Sequence, residues 1–235
     1  MSRDARYSIR RGLMKNKFRA LTSGPLGPIF LDQLFLERFG LRMGRPLTFN
    51  RDEALDVAMR VFWSEGYEAT SLHDLLYAMN LSKSSFYQSY GSKHELLQRS
   101  IHRYSAGVAD EMRKRLRQAP SGRAFIKAVF NELTEADDDD LKRGCFVMNC
   151  ASEFAQSDTV VAGLVMDSVL HFEEVFHQAV ARAQVEGDLS PEKDARAVAR
   201  YLVSSRSGLK TMAKAGAARE TLQDIIALVY STLGW

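Results

Sequence analysis

After Pro46 the chain runs to residue 235 with only two further prolines, Pro120 and Pro191, and both fall where an apolar pattern breaks. Proline fixes φ and removes a backbone donor, so it punctuates helices from outside. A stretch of about 190 residues almost free of it, with apolar residues at i, i+3 and i+4, reads as helix after helix. The fold class expected is all-α, with about nine helices.

The first can be placed from its caps. Asn50 reads as an N-cap with Glu53 as its capping-box partner. The helix it opens carries Leu55, Met59, Phe62 and Trp63 on one side and ends at Gly66 in a C′ position. A short helix begins after Thr70 or Ser71 and shows the stripe Leu72, Leu75, Leu76 and Met79. Asn80-Leu81 forms a tight turn, and a third helix covers about Lys83 to Tyr90. Gly91-Ser92 breaks it, and Ser92 caps a long fourth helix with Leu97, Ile101, Tyr104, Val108 and Met112 facing inward. Beyond Pro120 the expected helices are Ser121-capped to about Thr134, Cys145 to Ala155, about Val160 to Val185, Pro191 to about Ala215, and Arg219 to Leu233. The acidic run Asp137–Asp140 reads as a solvated loop. No internal repeat is present.

Composition excludes several classes. The apolar share of 46% and charged share of 26% are those of a globular chain. No run reaches 18 apolar residues, so no membrane span is expected, and no apolar stretch before a small-residue cleavage site marks a signal peptide. The two cysteines, Cys145 and Cys150, read as reduced thiols in a cytoplasmic protein. Residues 1–44 hold nine lysines and arginines against three acids, so the remainder carries a surplus of three acids. Contact with nucleic acid must therefore come from a local basic site. Neither a phosphate loop nor a nucleophile–base pattern is found. His171 and His177 are six apart and match no metal spacing, and the acidic run lacks an EF-hand pattern; no cofactor and no metal are expected.

LSKSSFYQSYGSKHELL, residues 81–97, mixes small hydroxyls, cations and aromatics. Two short helices, 71–79 and 83–90, joined by a tight turn and braced by a preceding helix, make a helix-turn-helix. Its second helix enters the major groove, and its N-terminal residues meet base edges. Ser84 and Ser85 are small enough for close approach and can donate or accept. Gln88 is long enough to reach a base edge or a phosphate. Lys83 is suited to a phosphate, and Tyr87 presents a hydroxyl to the backbone. Phe86 and Tyr90 hold the helix on its neighbours. Lys93 stands at a helix N-terminus, where free N–H groups already favour a phosphate.

The segment RDEALDVAMRVFWSEGYEATSLHDLLYAMNLSKSSFYQSYGSKHELL resembles the DNA-binding domain of the TetR/AcrR family of bacterial transcriptional regulators. The features that carry this are Gly66-Tyr67, the Thr70-Ser71 cap, Leu81-Ser82-Lys83, Phe86-Tyr87 and Tyr90-Gly91-Ser92-Lys93 with Leu96. Ser84 stands where the family often has glycine, and Tyr90 where it often has phenylalanine. The resemblance implies a DNA-binding domain over 45–107, with DNA contacts from Arg45, Thr70, Ser71, Lys83, Ser84, Ser85, Tyr87, Gln88 and Lys93. Gly44-Arg45-Pro46 resembles the family's basic lead-in to phosphates or the minor groove. Met43 stands where such regulators commonly begin. Residues 1–44 are expected to be a disordered basic extension, with residues 1–42 either an over-long start or an arm adding non-specific DNA affinity.

The resemblance implies that 108–235 is a helical effector-binding and dimerisation domain. Residues 143–150, RGCFVMNC, resemble a segment of one branch whose members respond to reactive or unsaturated small molecules. Cys145, Phe146, Asn149, Phe172 and Phe176 are the candidate effector contacts. Buried in an apolar run, Asn149 needs a partner, either a ligand or the backbone. The cysteines are either small buried hydrophobes or, with Lys142 and Arg143 near, a reactive thiolate. The last two helices have small and apolar faces, Ala195, Ala199, Leu202 and Val203, then Leu222, Ile226 and Val229. Paired across a two-fold axis they would make a four-helix bundle. The function expected is a homodimeric repressor, released from a palindromic double-stranded operator by a small-molecule effector. The alternatives are a helical small-molecule-binding protein or enzyme, and an effector-independent DNA-organising protein.

Overall fold

The computed structural model describes residues 50–154 and 156–235, without the side chains of 138 and 139. Arg45, the Gly-Arg-Pro lead-in and the expected extension over 1–44 lie outside the described residues.

Ten helices and no strand are found among the described residues: α1 (Arg51–Glu65), α2 (Leu72–Ala78), α3 (Lys83–Tyr90), α4 (Lys93–Gln118), α5 (Gly122–Glu135), α6 (Asp138–Arg143), α7 (Phe146–Phe154), α8 (Thr159–Val185), α9 (Ala195–Lys214) and α10 (Arg219–Leu233). Side-chain caps begin most of them. The Asn50 carboxamide oxygen accepts from the amides of Asp52 and Glu53, and its amide donates to the Glu53 carboxylate at 3.0 Å. Ser71 and Asp74 form a reciprocal capping box on α2. Ser82, Ser92, Ser121, Asp158 and Asp194 cap α3, α4, α5, α8 and α9. Each cap satisfies amides that no helical carbonyl can reach.

Two expected boundaries differ. The acidic run is no plain loop: Asp137 accepts from the amide of Asp140 at 2.8 Å and opens the one-and-a-half-turn α6. The Asp137 carboxylate sits at the N-terminal pole of the helix, which the dipole favours. Pro191 does not open α9. The residues after it form a turn, and Asp194 caps the helix at Ala195.

The reading head is α1, α2 and α3 packed on the first turns of α4. Phe62, Leu75, Met79, Phe86, Tyr90, Leu96 and Leu97 form its core. The buried stripe of α1 is Ala54, Ala58 and Phe62; Leu55, Met59 and Trp63 are only half-buried against it. The small alanines let α1 lie close on its neighbours, which periodicity alone does not reveal. Asn80, in the turn between α2 and α3, has φ +52°, a left-handed conformation that asparagine tolerates better than most residues. Tyr90 is buried, yet its hydroxyl donates to the Arg51 carbonyl at 2.8 Å, tying the end of α3 to the start of α1. Arg103 on α4 makes two 3.0 Å bonds to Asp56 on α1.

α4 runs unbroken across residues 107 and 108, so the head and the larger helical body share one rod. The body packs α5 and α9 on the long α8, with α10 on α5 and α9. Gly122 permits the closest approach. A Cβ there would stand 2.3 Å from the Ala179 carbonyl oxygen and 2.7 Å from the Ala183 nitrogen on α8. The Gly122 amide also donates to Glu186 at 2.8 Å, which holds that carboxyl below its ordinary range.

Candidate nucleic-acid interface and effector cavities

α3 separates its side chains cleanly. Phe86, Ser89 and Tyr90 point into the head, whereas Lys83, Ser84, Tyr87 and Gln88 are exposed and Ser85 is half-buried. Ser85 is pinned by the cap: its amide donates to Ser82 Oγ at 3.1 Å and its hydroxyl lies 2.9 Å from the same atom. The helix therefore presents a small, polar first turn with a lysine beside it. Arg99 on α4 donates to the Ser89 carbonyl at 2.9 Å and braces α3 from behind.

Not every expected contact stands on this surface. Thr70 is 2% exposed and its hydroxyl donates to the Gly66 carbonyl at 2.6 Å, so it closes the α1–α2 loop rather than facing outward. Ser71 is exposed, but its hydroxyl is engaged at 2.6 Å by Asp74, whose carboxyl is lowered first by that bond. Lys93 does not extend into water; its ammonium lies 3.9 Å from the centre of the Tyr67 ring. Sequence reasoning passed over His73 and Tyr77, the two most exposed large side chains of α2, with Tyr77 85% exposed. The signal was available: both fall off the stripe of Leu72, Leu75, Leu76 and Met79.

Two cavities lie beneath the head. The larger, about 370 Å³, is lined among others by Trp63, Tyr67, Phe146, Asn149, Cys150 and Glu153. Phe146 and Asn149, of the candidate effector contacts, line this cavity. Cys145, Phe172 and Phe176 do not line it. Cys145 is buried ahead of α7, while Phe172 and Phe176 are core residues of α8, the latter packed on Phe125 and Phe130. Asn149 finds its partner in the backbone, donating to the Arg143 carbonyl at 3.0 Å. Burial pushes the Cys150 thiol up to about 12, so that side chain is a protonated, small apolar group.

The larger cavity is wired to the head. Glu153 on α7 accepts from the amides of Glu68 (2.8 Å) and Tyr67 (3.3 Å) in the α1–α2 loop. His94, in the first turn of α4, lies 3.1 Å from Asp158, the cap of α8. Trp63 of α1 donates to the Arg143 carbonyl at 3.0 Å. The smaller cavity, about 240 Å³, lies on the α5, α6 and α9 side of Trp63.

A helix-turn-helix with an exposed polar recognition helix, mounted on a helical body with a cavity at the joint, defines a DNA-binding regulator of transcription. The model for bacterial regulatory proteins of the tetR family matches residues 54–99, and that for the tetracyclin repressor-like C-terminal domain matches 122–229. An uncharacterized HTH-type transcriptional regulator of Bacillus subtilis, YezE, is 33% identical over 81% of this chain and all of its own length. The Escherichia coli HTH-type transcriptional repressor ComR is 30% identical over 77% of this chain and 88% of its own. A solved structure of the TetR-family regulator CifR, with its cysteines substituted and bound to a 26-base-pair operator duplex, is 30% identical. It covers 81% of this chain and 98% of its own, with a TM-score of 0.66. The chain belongs to the TetR family of bacterial regulatory proteins.

Proposed function

We propose that this protein is a homodimeric transcriptional repressor that reads a palindromic operator with α3 and is released by a small molecule bound in its helical body. The observation that carries the reading is the outward first turn of α3, where Lys83, Ser84 and Gln88 stand exposed on a helix locked from behind by Phe86 and Tyr90. Ser84, Ser85 and Gln88 take the base edges. Lys83 and Tyr87 take phosphates, with Arg45 as a further cation ahead of α1; Lys93, held on the Tyr67 ring, is left out of the set. ComR is a transcriptional repressor, and CifR was solved on operator DNA, which supports the same direction here. No helix among the described residues is long and apolar enough to cross a membrane; the reading places the protein in the cytoplasm with the chromosome.

Dimerisation is assigned to α9 and α10, by a face other than the one the residue pattern suggested. Ala199, Leu202, Val203, Leu222, Ile226 and Val229 are all buried within their own chain. The outward residues are Tyr201, Ser204, Gly208 and Met212 on α9 and Leu228, 67% exposed, on α10. Their spacing along α9 makes one stripe, small in the middle and apolar at the ends.

The larger cavity is the effector site in this reading, with Phe146 and Asn149 as contacts. A ligand there displaces α7, and Glu153 transmits the movement to the α1–α2 loop. Only a ligand that favours one spacing of the two heads weakens DNA binding, and by no more than that difference. The test is operator affinity at fixed salt for Ser85→Ala combined with Gln88→Ala. A loss of tenfold or more with unaltered thermal unfolding is expected; unchanged affinity overturns the reading.

A further inference from the structure

The smaller cavity has an unusual charge balance. Five charged residues line it: Glu132, Asp140, Arg143, Arg206 and Lys210. Glu132 is taken by an ion pair with Arg115, and Arg143 pairs with Asp140 at 3.4 Å. Arg206 and Lys210 have no carboxylate within ion-pair reach among the described residues. The Arg206 Nε is buried with no hydrogen-bond acceptor. The two are four residues apart on α9, so they stack on one face, where like charges repel.

Leaving cations of this kind without a counter-charge in a partly enclosed site costs stability. Burial first, then Arg206, pushes the Lys210 ammonium down to about 8, while Cys145, Glu132 and Asp140 pull the other way too weakly to restore it. The buried apolar face of α9 is supplied by Leu202, Leu209 and Ala213.

The rest of the lining is apolar: Trp63, Leu133, Leu141 and Ala213 among others. A guanidinium offers a planar fork that matches a carboxylate, and the ammonium one turn on adds a second charged donor. We infer that the cavity bounded by Trp63, Leu141, Arg206 and Lys210 is a binding site for a small organic carboxylate, whose charge sits on the two cations and whose apolar body lies against Trp63 and the leucines. At about 240 Å³ it is below the range of drug-sized pockets, so the ligand is of the size of benzoate. This site lies beside the larger cavity, and Trp63 lines both.

The experiment is calorimetric titration of the full chain at pH 7 with benzoate, with its uncharged counterpart benzamide, and with inorganic phosphate. Benzoate is expected to bind with one site per chain, and benzamide and phosphate at least tenfold more weakly, the first lacking the charge and the second the apolar body. Arg206→Gln and Lys210→Gln are each expected to weaken benzoate tenfold or more. Both variants lose a repulsion and are expected to unfold no earlier than the parent. Absence of benzoate binding, equal binding of benzamide or of phosphate, or unchanged affinity in either folded variant overturns the inference. The ligand comparison on the parent chain decides the matter even where a variant fails to fold.

Discussion

Gln88 and Lys83 stand five residues apart on α3 and have different work in the proposed complex. Gln88→Ala is expected to cost about 1–3 kcal/mol at one base-pair position and to relax specificity there. Lys83→Ala is expected to weaken all sequences alike and to lower the salt slope by about one. Affinities measured across a salt series on matched and mismatched duplexes separate the two. Lys210 gives a stability prediction with a defined sign. Its ammonium has a lower pKa folded, about 8, than its ordinary 10.5, so the unfolded chain holds more protons between those values. The penalty is full below about pH 8 and fades as pH rises toward 10.5. Lys210→Met is therefore expected to stabilise by about 1–2 kcal/mol at pH 7, allowing for its partial exposure, with the gain shrinking above pH 8. Urea titrations at several pH values read this directly; destabilisation at pH 7 contradicts it. The exposed face of α3 was legible in the sequence because residue type and helical period agree there. Thr70 and Ser71 were not, because a hydroxyl ahead of a helix looks the same whether it caps or binds phosphate. Only their partners, the Gly66 carbonyl and the Asp74 carboxylate, tell the two apart.

At the scale of elements, capping chemistry placed the early helices well, since each serine cap carries its own partner three residues on. The interior of the body was harder. Phe172 and Phe176 look alike as core or as pocket lining, and which it is depends on how α5 approaches α8. That approach rests on Gly122. Gly122→Ala puts a methyl group into the backbone of Ala179 and Ala183 and is expected to destabilise by about 1–3 kcal/mol, read as a lower unfolding midpoint. The link between α7 and the head is equally specific. Glu153→Gln keeps the size of the side chain but weakens its hold on two backbone amides. Faster hydrogen exchange at the Tyr67 and Glu68 amides is expected, with global stability little changed; unaltered exchange removes Glu153 from the route between cavity and head.

For the molecule as a whole, the proposed reading requires two copies. A single short helix reads few bases, and a symmetric pair doubles the contact if the heads lie roughly 34–36 Å apart or at a related spacing. Sequence periodicity picked out α9 and α10 but chose their inward faces, because both faces carry small and apolar residues and only the fold shows which is already covered. Gly208→Arg, at an exposed position where a new Cβ meets open space, is expected to leave the protomer folded and to halve the mass measured by light scattering. The most direct measurement of the central claim is selection of bound duplexes from a random pool by the full chain, repeated with Ser84→Ala and Gln88→Ala together. The parent is expected to enrich an inverted repeat whose half-sites are spaced for two copies of α3, and the variant to lose it. Enrichment of no repeat by the folded parent, or the same repeat from the variant at equal affinity, would contradict the account.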